Sequence, residues 1–192
     1  MILYIETNFI IGRTRGQDAK ADEILKISRK KLNIALPDIC IMEAWSAFEN
    51  MQGRRRQLAD ELSRQAHELK RDLISPYSKL QVVSLEQASL DIANGLNDSE
   101  LHFRDTLAKV AYRAELITLT PAALKQSLAV QTMSLPRDNL VLTTIINHAR
   151  KHRGEEHILL TGDREFEMPA RNAGMKYFAR TEAFLGWFKS KR

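Results

Sequence analysis

The sequence predicts an α/β protein in which a central parallel sheet is covered by helices on both sides. Three observations predict it: short, continuously apolar runs such as Ile2-Leu3-Tyr4-Ile5 and Ile158-Leu159-Leu160, amphipathic stretches of helical period between them, and acidic or turn residues directly after the runs. At 192 residues the chain fits one large domain with an ordinary core.

The first run reads as a strand buried on both faces, ending at Glu6-Thr7-Asn8. A helix is expected from about Asp18 to Lys31, then a brief strand over Ile34-Ala35-Leu36. Pro37-Asp38 opens the next helix, because proline tolerates a first turn and Asp caps it. That helix carries Ile41, Ala44, Trp45, Phe48 and Met51 on one side. From about Gln52 to Arg113 the chain is helix-rich and charged, with a break at Ser75-Pro76-Tyr77, an unassigned Gln81-Val82-Val83-Ser84 and a looser stretch from Asn94-Gly95 to Asp98-Ser99.

Leu116-Ile117-Thr118-Leu119-Thr120-Pro121 reads as a strand leading into a helix, and Leu135-Pro136-Arg137-Asp138 opens another that runs to about His152. A third buried strand spans His157 to Thr161 and ends at Gly162-Asp163. A helix follows near Glu165 to Ala173, with Gly174 as its C-terminal cap. Lys176-Tyr177-Phe178-Ala179 is the last strand, and Thr181 to Lys189 a closing amphipathic helix with Phe184, Leu185, Trp187 and Phe188. The expected organisation is a single domain over 1–192 with a helix-rich elaboration at about 52–115, without repeats.

No apolar run approaches the roughly 20 residues of a membrane helix, and Met1 to Ile5 is too short and lacks the basic residues of a signal peptide. A cytoplasmic protein without membrane association is therefore expected. The single cysteine, Cys40, sits in an apolar stretch as a buried, reduced thiol. A net charge of +5 suits a polyanionic partner such as nucleic acid. The basic clusters Arg54-Arg55-Arg56, Lys70-Arg71, Arg150-Lys151-His152-Arg153 and Lys189 to Arg192 also suit plain solvated faces.

The chemistry lies in the carboxylates. Glu6 and Asp163 follow buried strands, at the sheet edge where open α/β folds bind ligands. Gly162-Asp163 alone is an ordinary turn, but Glu has poor strand and turn propensity and yet ends a central strand at Glu6. Helical spacing places Asp138 within the apolar stripe of Val141, Leu142, Ile145 and Ala149, although an Asp in a first turn also favours the helix dipole. Glu43 lies at the rim of its helix's apolar face, beside Cys40 and Ala47, where on its own a plain pairing with an arginine accounts for it better than a site does. Carboxylates gathered at one edge repel each other unless a cation neutralises them, and oxygen ligands suit Mg²⁺ or Mn²⁺.

The segments Glu6-Thr7-Asn8-Phe9-Ile10, Pro37-Asp38-Ile39 through Glu43, Asp138 at a helix start, and Leu160-Thr161-Gly162-Asp163-Arg164-Glu165-Phe166 resemble, in order, the four motifs of PIN-domain nucleases, VapC-like ribonucleases among them. The resemblance implies a three-layer α/β/α sandwich and Mg²⁺- or Mn²⁺-dependent hydrolysis of RNA, less often DNA, leaving a 5′-phosphate. It implies that Glu6, Glu43, Asp138 and Asp163 hold the metal, that Thr7, Asn8 and Thr161 orient them, and that Glu165 is an auxiliary acid. Many compact relatives are toxins of toxin-antitoxin pairs; the added helical region would serve as a protein-partner surface, an oligomerisation element or a substrate clamp. The family usually has Asp where this chain has Glu6, so the longer side chain must bend back or shift the ion.

Two other classes compete: a PIN-like module that holds RNA or protein without cutting, and a phosphotransfer domain. The second lacks a nucleophilic Asp at the end of its first strand. His67, His102, His148, His152 and His157 are read as lacking a paired metal-ligand spacing, which argues against zinc. Gly12 and Gly16 do not make a phosphate loop, and Phe184, Trp187 and Phe188 have the spacing of a packed helix face.

Overall fold

Five short apolar runs form the strands of one sheet. In the computed structural model, which describes residues 1–71, 75 and 77–191, they are β1 (Ile2–Ile5), β2 (Asn33–Pro37), β3 (Ala114–Ile117), β4 (His157–Leu160) and β5 (Lys176–Phe178). The order across the sheet is β3-β2-β1-β4-β5, and every pairing is parallel. In β1, Leu3 stands opposite both Ile34 and Ile158, and Tyr4 opposite Ala35 and Leu159. All four β1 residues are buried, as a central strand with helices on both faces requires.

The helices are α1 (Thr7–Thr14), α2 (Ala21–Leu25), α3 (Asp38–Leu69), α4 (Ser78–Arg113), α5 (Pro121–Ala129), α6 (Pro136–Lys151), α7 (Glu167–Asn172) and α8 (Thr181–Ser190). From β1 the chain builds outward through β2 to β3, then returns to the other side of β1 for β4 and β5. Right-handed crossovers place the connecting helices of these two halves on opposite faces, which gives the three-layer α/β/α arrangement. The direction reverses between β1 and β4, so a crevice opens at the C-terminal ends of these two strands.

The chain divides into two compact units, Met1–Ala44 with Asp105–Arg192, and Trp45–Arg104. The first holds the sheet. Its α6 buries Val141, Leu142, Ile145 and Ala149 and packs on β2 and β3. The loop before α6 is fixed by Asn139, which is only 1% exposed. Its amide donates to the carbonyls of Ser127 at 2.6 Å and Val130 at 2.8 Å, and its carbonyl oxygen accepts from the Thr132 amide at 3.0 Å and hydroxyl at 2.7 Å.

The second unit pairs the distal part of α3 with the proximal part of α4, antiparallel. Phe48 stacks on Phe103 with centroids 4.2 Å apart, and Trp45 meets Phe103 edge-on at 5.4 Å. Further along, the contacts turn polar: Gln52 donates to the Leu96 carbonyl, Arg55 to the Ser99 hydroxyl, and Lys70 pairs with Glu86. Among the described residues no helix is long and apolar enough to cross a membrane.

Several elements depart from the sequence reading. A helix, α1, begins directly after β1, with the Glu6 side chain as its N-terminal cap. Glu is a weak cap by preference, and the expected helix from Asp18 to Lys31 shrinks to Ala21–Leu25. Pro37 ends β2 instead of opening α3, and the Asp38 carboxylate accepts from the Leu119 amide at 3.2 Å, tying down the chain after β3. Gln81 to Ser84 and the stretch from Asn94 to Ser99 are continuous helix, the Ser99 hydroxyl donating back to the Gly95 carbonyl. Trp45, expected on the apolar side, is 41% exposed. Gly174 takes φ +82° as the predicted cap after α7. Pro76, in the expected break, and Arg192, in the last basic cluster, lie outside the described residues.

Replacing Asn139 by Ala takes the partner from the Ser127 and Val130 carbonyls and from the Thr132 amide and hydroxyl. We expect it to lower unfolding stability by about 3 kcal/mol in urea denaturation; an unchanged midpoint would mean that this network does not hold the start of α6.

Candidate active site

Glu6 follows β1 immediately and is buried with that strand: the residue is 6% exposed. The side chain bends back, and Oε2 accepts from the Asn8 backbone amide at 2.7 Å. The other oxygen, Oε1, is buried and has no hydrogen-bond partner. Burial pushes the Glu6 carboxyl up to about 7; the Asn8 amide and the Thr161 hydroxyl pull it back, and the charges of Glu43 and Asp163 push it further. The expected support from Asn8 therefore comes from its backbone, while its side chain is exposed.

Thr7, in the first turn of α1, reaches across to α3. Its hydroxyl donates to Glu43 Oε2 at 2.6 Å. The other carboxylate oxygen of Glu43 lies 2.9 Å from Arg137 Nε, and the same nitrogen is 3.4 Å from Asp138 Oδ1. Arg137 thus links the α3 acid to the α6 acid, an arginine pairing of the kind the rim position of Glu43 allowed. Asp138 is 8% exposed, as its place in the apolar stripe requires.

At the end of β4 the Thr161 hydroxyl accepts from the Asp163 amide at 3.0 Å, and Asp163 Oδ1 accepts from the Glu165 amide at 2.9 Å. Asp163 thereby caps the short 3-10 turn Arg164–Phe166, and Tyr177 of β5 donates to its carbonyl at 3.1 Å. Glu165 is exposed, and its carboxylate accepts from the Ser134 hydroxyl at 2.5 Å. Beside Asn8 and Thr161 an open recess of about 410 Å³ runs toward Arg180 and Thr181. Cys40 is fully buried; burial, with the Glu6 charge adding to it, pushes its thiol up, so it is no nucleophile.

The fold therefore brings Glu6, Glu43, Asp138 and Asp163 to one sheet edge as neighbours joined by Thr7, Arg137 and Thr161. They do not form a closed cage. Among the described residues, the group of three whose ligand atoms all lie within 4.8 Å of one another is a different one: Glu115, His148 and His152. This corrects the reading of the histidines. His148 and His152 are four residues apart on α6, one helical turn, and that spacing is the signal in the sequence; only the sheet supplies Glu115. Burial holds the His148 ring below the ordinary imidazole range, against the pull of Glu115. Arg137 and Ser134, which contact the acids, carry no recognisable signal of their own.

No curated protein matches the chain. Among solved structures, one similar in shape is the crystal structure of VapBC2 from Rickettsia felis bound to a DNA fragment from their promoter, at 16% identity and a TM-score of 0.45, with 93% of this chain and 98% of that chain covered. The family model described as PIN domain matches residues 3–166. The match takes in the parallel sheet up to β4 and all four carboxylates at its edge, and the chain belongs to the PIN domain family.

Proposed function

We propose that this protein is a divalent-metal-dependent endonuclease acting on RNA, with Glu6, Glu43, Asp138 and Asp163 as the acids that hold Mg²⁺ or Mn²⁺ directly or through water. The observation that carries the reading is Glu6: a carboxylate buried at the topological switch point, with one oxygen lacking any partner. A buried carboxylate is costly unless a cation or hydrogen bonds compensate it, and the charges of Glu43 and Asp163 make it costlier. An all-oxygen donor set suits Mg²⁺ or Mn²⁺. When bound, such an ion neutralises phosphate charge and acidifies an attacking water.

The remaining work falls to the chain's own groups. Thr7 and the Asn8 amide hold Glu43 and Glu6 in place, and Thr161 holds the turn that presents Asp163. Arg137 neutralises Glu43 and Asp138 in the metal-free protein and, with its side chain 55% exposed, is free to swing to a phosphate once their charge is otherwise compensated. That same link favours the one competing reading, a module that binds RNA and does not cut.

The two are separated by incubating the protein with single-stranded RNA, structured RNA and single-stranded DNA in Mg²⁺, Mn²⁺ or EDTA. Cleavage of RNA is expected with either metal, falling by about a hundredfold or more in EDTA and in Asp138→Asn and Asp163→Asn. Cleavage that persists in EDTA or in both variants sinks the assignment, and metal-insensitive RNA binding without cleavage selects the module. Arg137→Gln is expected to raise Mg²⁺ affinity severalfold while slowing cleavage; lower Mg²⁺ affinity would contradict the competition described.

Glu6 also sets a pH signature. Its value rises from an ordinary 4.5 to about 7 on folding, so between these pH values the metal-free folded state holds a proton that the unfolded chain has lost. Stability in EDTA therefore falls as pH rises through this window, by roughly 3 kcal/mol if Glu6 acts alone. Glu6→Gln is expected to melt higher than the natural protein in EDTA at pH 8 and to lose the stabilisation that Mg²⁺ confers. A variant no more stable in EDTA would show that the carboxylate is not under strain.

A further inference from the structure

Helix α6 carries Asp138 in its first turn and ends at the opposite end of the sheet. His148 lies ten residues on, about 15 Å along the axis. There the rings of His148 and His152 stack with centroids 4.4 Å apart and planes at 29°. Glu115 of β3 places Oε1 3.3 Å from His148 Nε2, and one ligand atom from each of the three residues lies within 4.8 Å of the other two. The second ring nitrogen of His148, Nδ1, is 3.0 Å from the hydroxyl of Tyr4. That hydroxyl lies in turn 3.3 Å from His157 Nδ1.

We propose that Glu115, His148 and His152 form a binding site for a first-row transition-metal dication of the zinc class, separate from the acidic edge. Two imidazole nitrogens and one carboxylate oxygen are a donor set that suits zinc and its neighbours and serves Mg²⁺ poorly. The His-x-x-x-His spacing sets both rings on one face of a helix, the arrangement by which helical histidine pairs grip an ion.

The support behind the ligands points the same way. A metal-bound imidazole needs its other nitrogen held by an outer partner, which fixes ring orientation and tautomer. Tyr4 is that partner, and its place in the fully buried centre of β1 makes it a rigid one. With the proton on Nδ1, His148 donates to the Tyr4 hydroxyl, which donates onward to His157 Nδ1. Nε2 and the Glu115 carboxylate then face each other as two acceptors, and a cation reconciles them. Without an ion, the proton moves to Nε2 and is donated to Glu115, so the cluster holds together in either state. Glu115 and His152 are exposed, which gives an ion a path in and leaves water room to complete its shell. An ion there would tie the last turn of α6 to β3.

The test is zinc chloride titrated into the full chain by calorimetry, with Mg²⁺ as the control and cobalt(II) absorption reporting the ligand field. One zinc per chain is expected, with equal affinity in the natural protein and in Asp163→Asn, and with Mg²⁺ unable to compete. His152→Ala and Glu115→Gln, both at exposed positions, are expected to weaken binding more than about tenfold and to dim the cobalt bands, while circular dichroism stays unchanged. Tyr4→Phe is expected to weaken it about tenfold through ring orientation alone. No stoichiometric zinc, zinc binding that survives both His152→Ala and Glu115→Gln, or binding lost in Asp163→Asn would each overturn the proposal.

Discussion

A carboxylate at the end of a strand covered on both faces constrains everything around it. Glu6 is buried with that strand, so its charge must be met from within, and its own helix meets half of it: the first turn of α1 turns an amide toward Oε2. The other oxygen is left without a hydrogen bond. Burial then holds the group near neutrality in pH terms, up to about 7, instead of fully ionised. A fold selected for stability alone would place an apolar side chain or a better-satisfied cap here. Local rules broken at a central position, with the surrounding packing intact, are what a functional site looks like in physical terms.

Helix α6 makes that edge rigid and extends its reach. Its first turn delivers Asp138 and Arg137, and Asn139 beside them is bonded through every polar atom of its amide to the end of α5 and the loop that follows it. A shift of the helix would break those bonds together, so Asn139 holds the turn that carries the acid beside it. The apolar stripe from Val141 to Ala149 then seats the helix on β2 and β3. The far end carries the two histidines to Glu115. One helix thus spaces the proposed oxygen-rich site from the proposed nitrogen-rich one.

What the residues disclosed beforehand follows from the range of the interactions involved. Strands β1 and β4 and helix α6 were legible because their apolar patterns are local and strong, and Glu6 and Asp163 because they follow such strands. The start of α1 was hidden, since its cap is a Glu whose side chain curls back, which no preference predicts. Helix α4 runs through Asn94-Gly95 and Val82-Val83, weak helix formers in themselves, where Gln52 and Arg55 of α3 bond Leu96 and Ser99 beside them. The histidine pair stood in plain view at one-turn spacing, yet its meaning depended on Glu115, which only the β2–β3 pairing brings near. The link between Glu43 and Asp138 was likewise invisible, because Arg137 is an unremarkable basic residue until the two helices meet at the sheet edge.

The extra methylene of Glu6 bears on how an ion would be held in the proposed site. With Oε2 committed to the Asn8 amide, only the buried Oε1 is uncommitted, so this residue offers one ligand atom and not a chelating pair. Mg²⁺ keeps several waters and takes few protein oxygens, so a single well-placed donor, with Asp163 and the Arg137-linked acids at the rim, is sufficient for it. Arg137 adds a second condition, because an ion must displace a guanidinium already bound to Glu43 and near Asp138. In the proposed site, affinity would therefore be set by a competition between Arg137 and a cation from solution. A substrate phosphate, by offering the displaced arginine a new partner, would shift that competition toward the ion, so on this proposal metal and nucleic acid would bind more tightly together than either does alone.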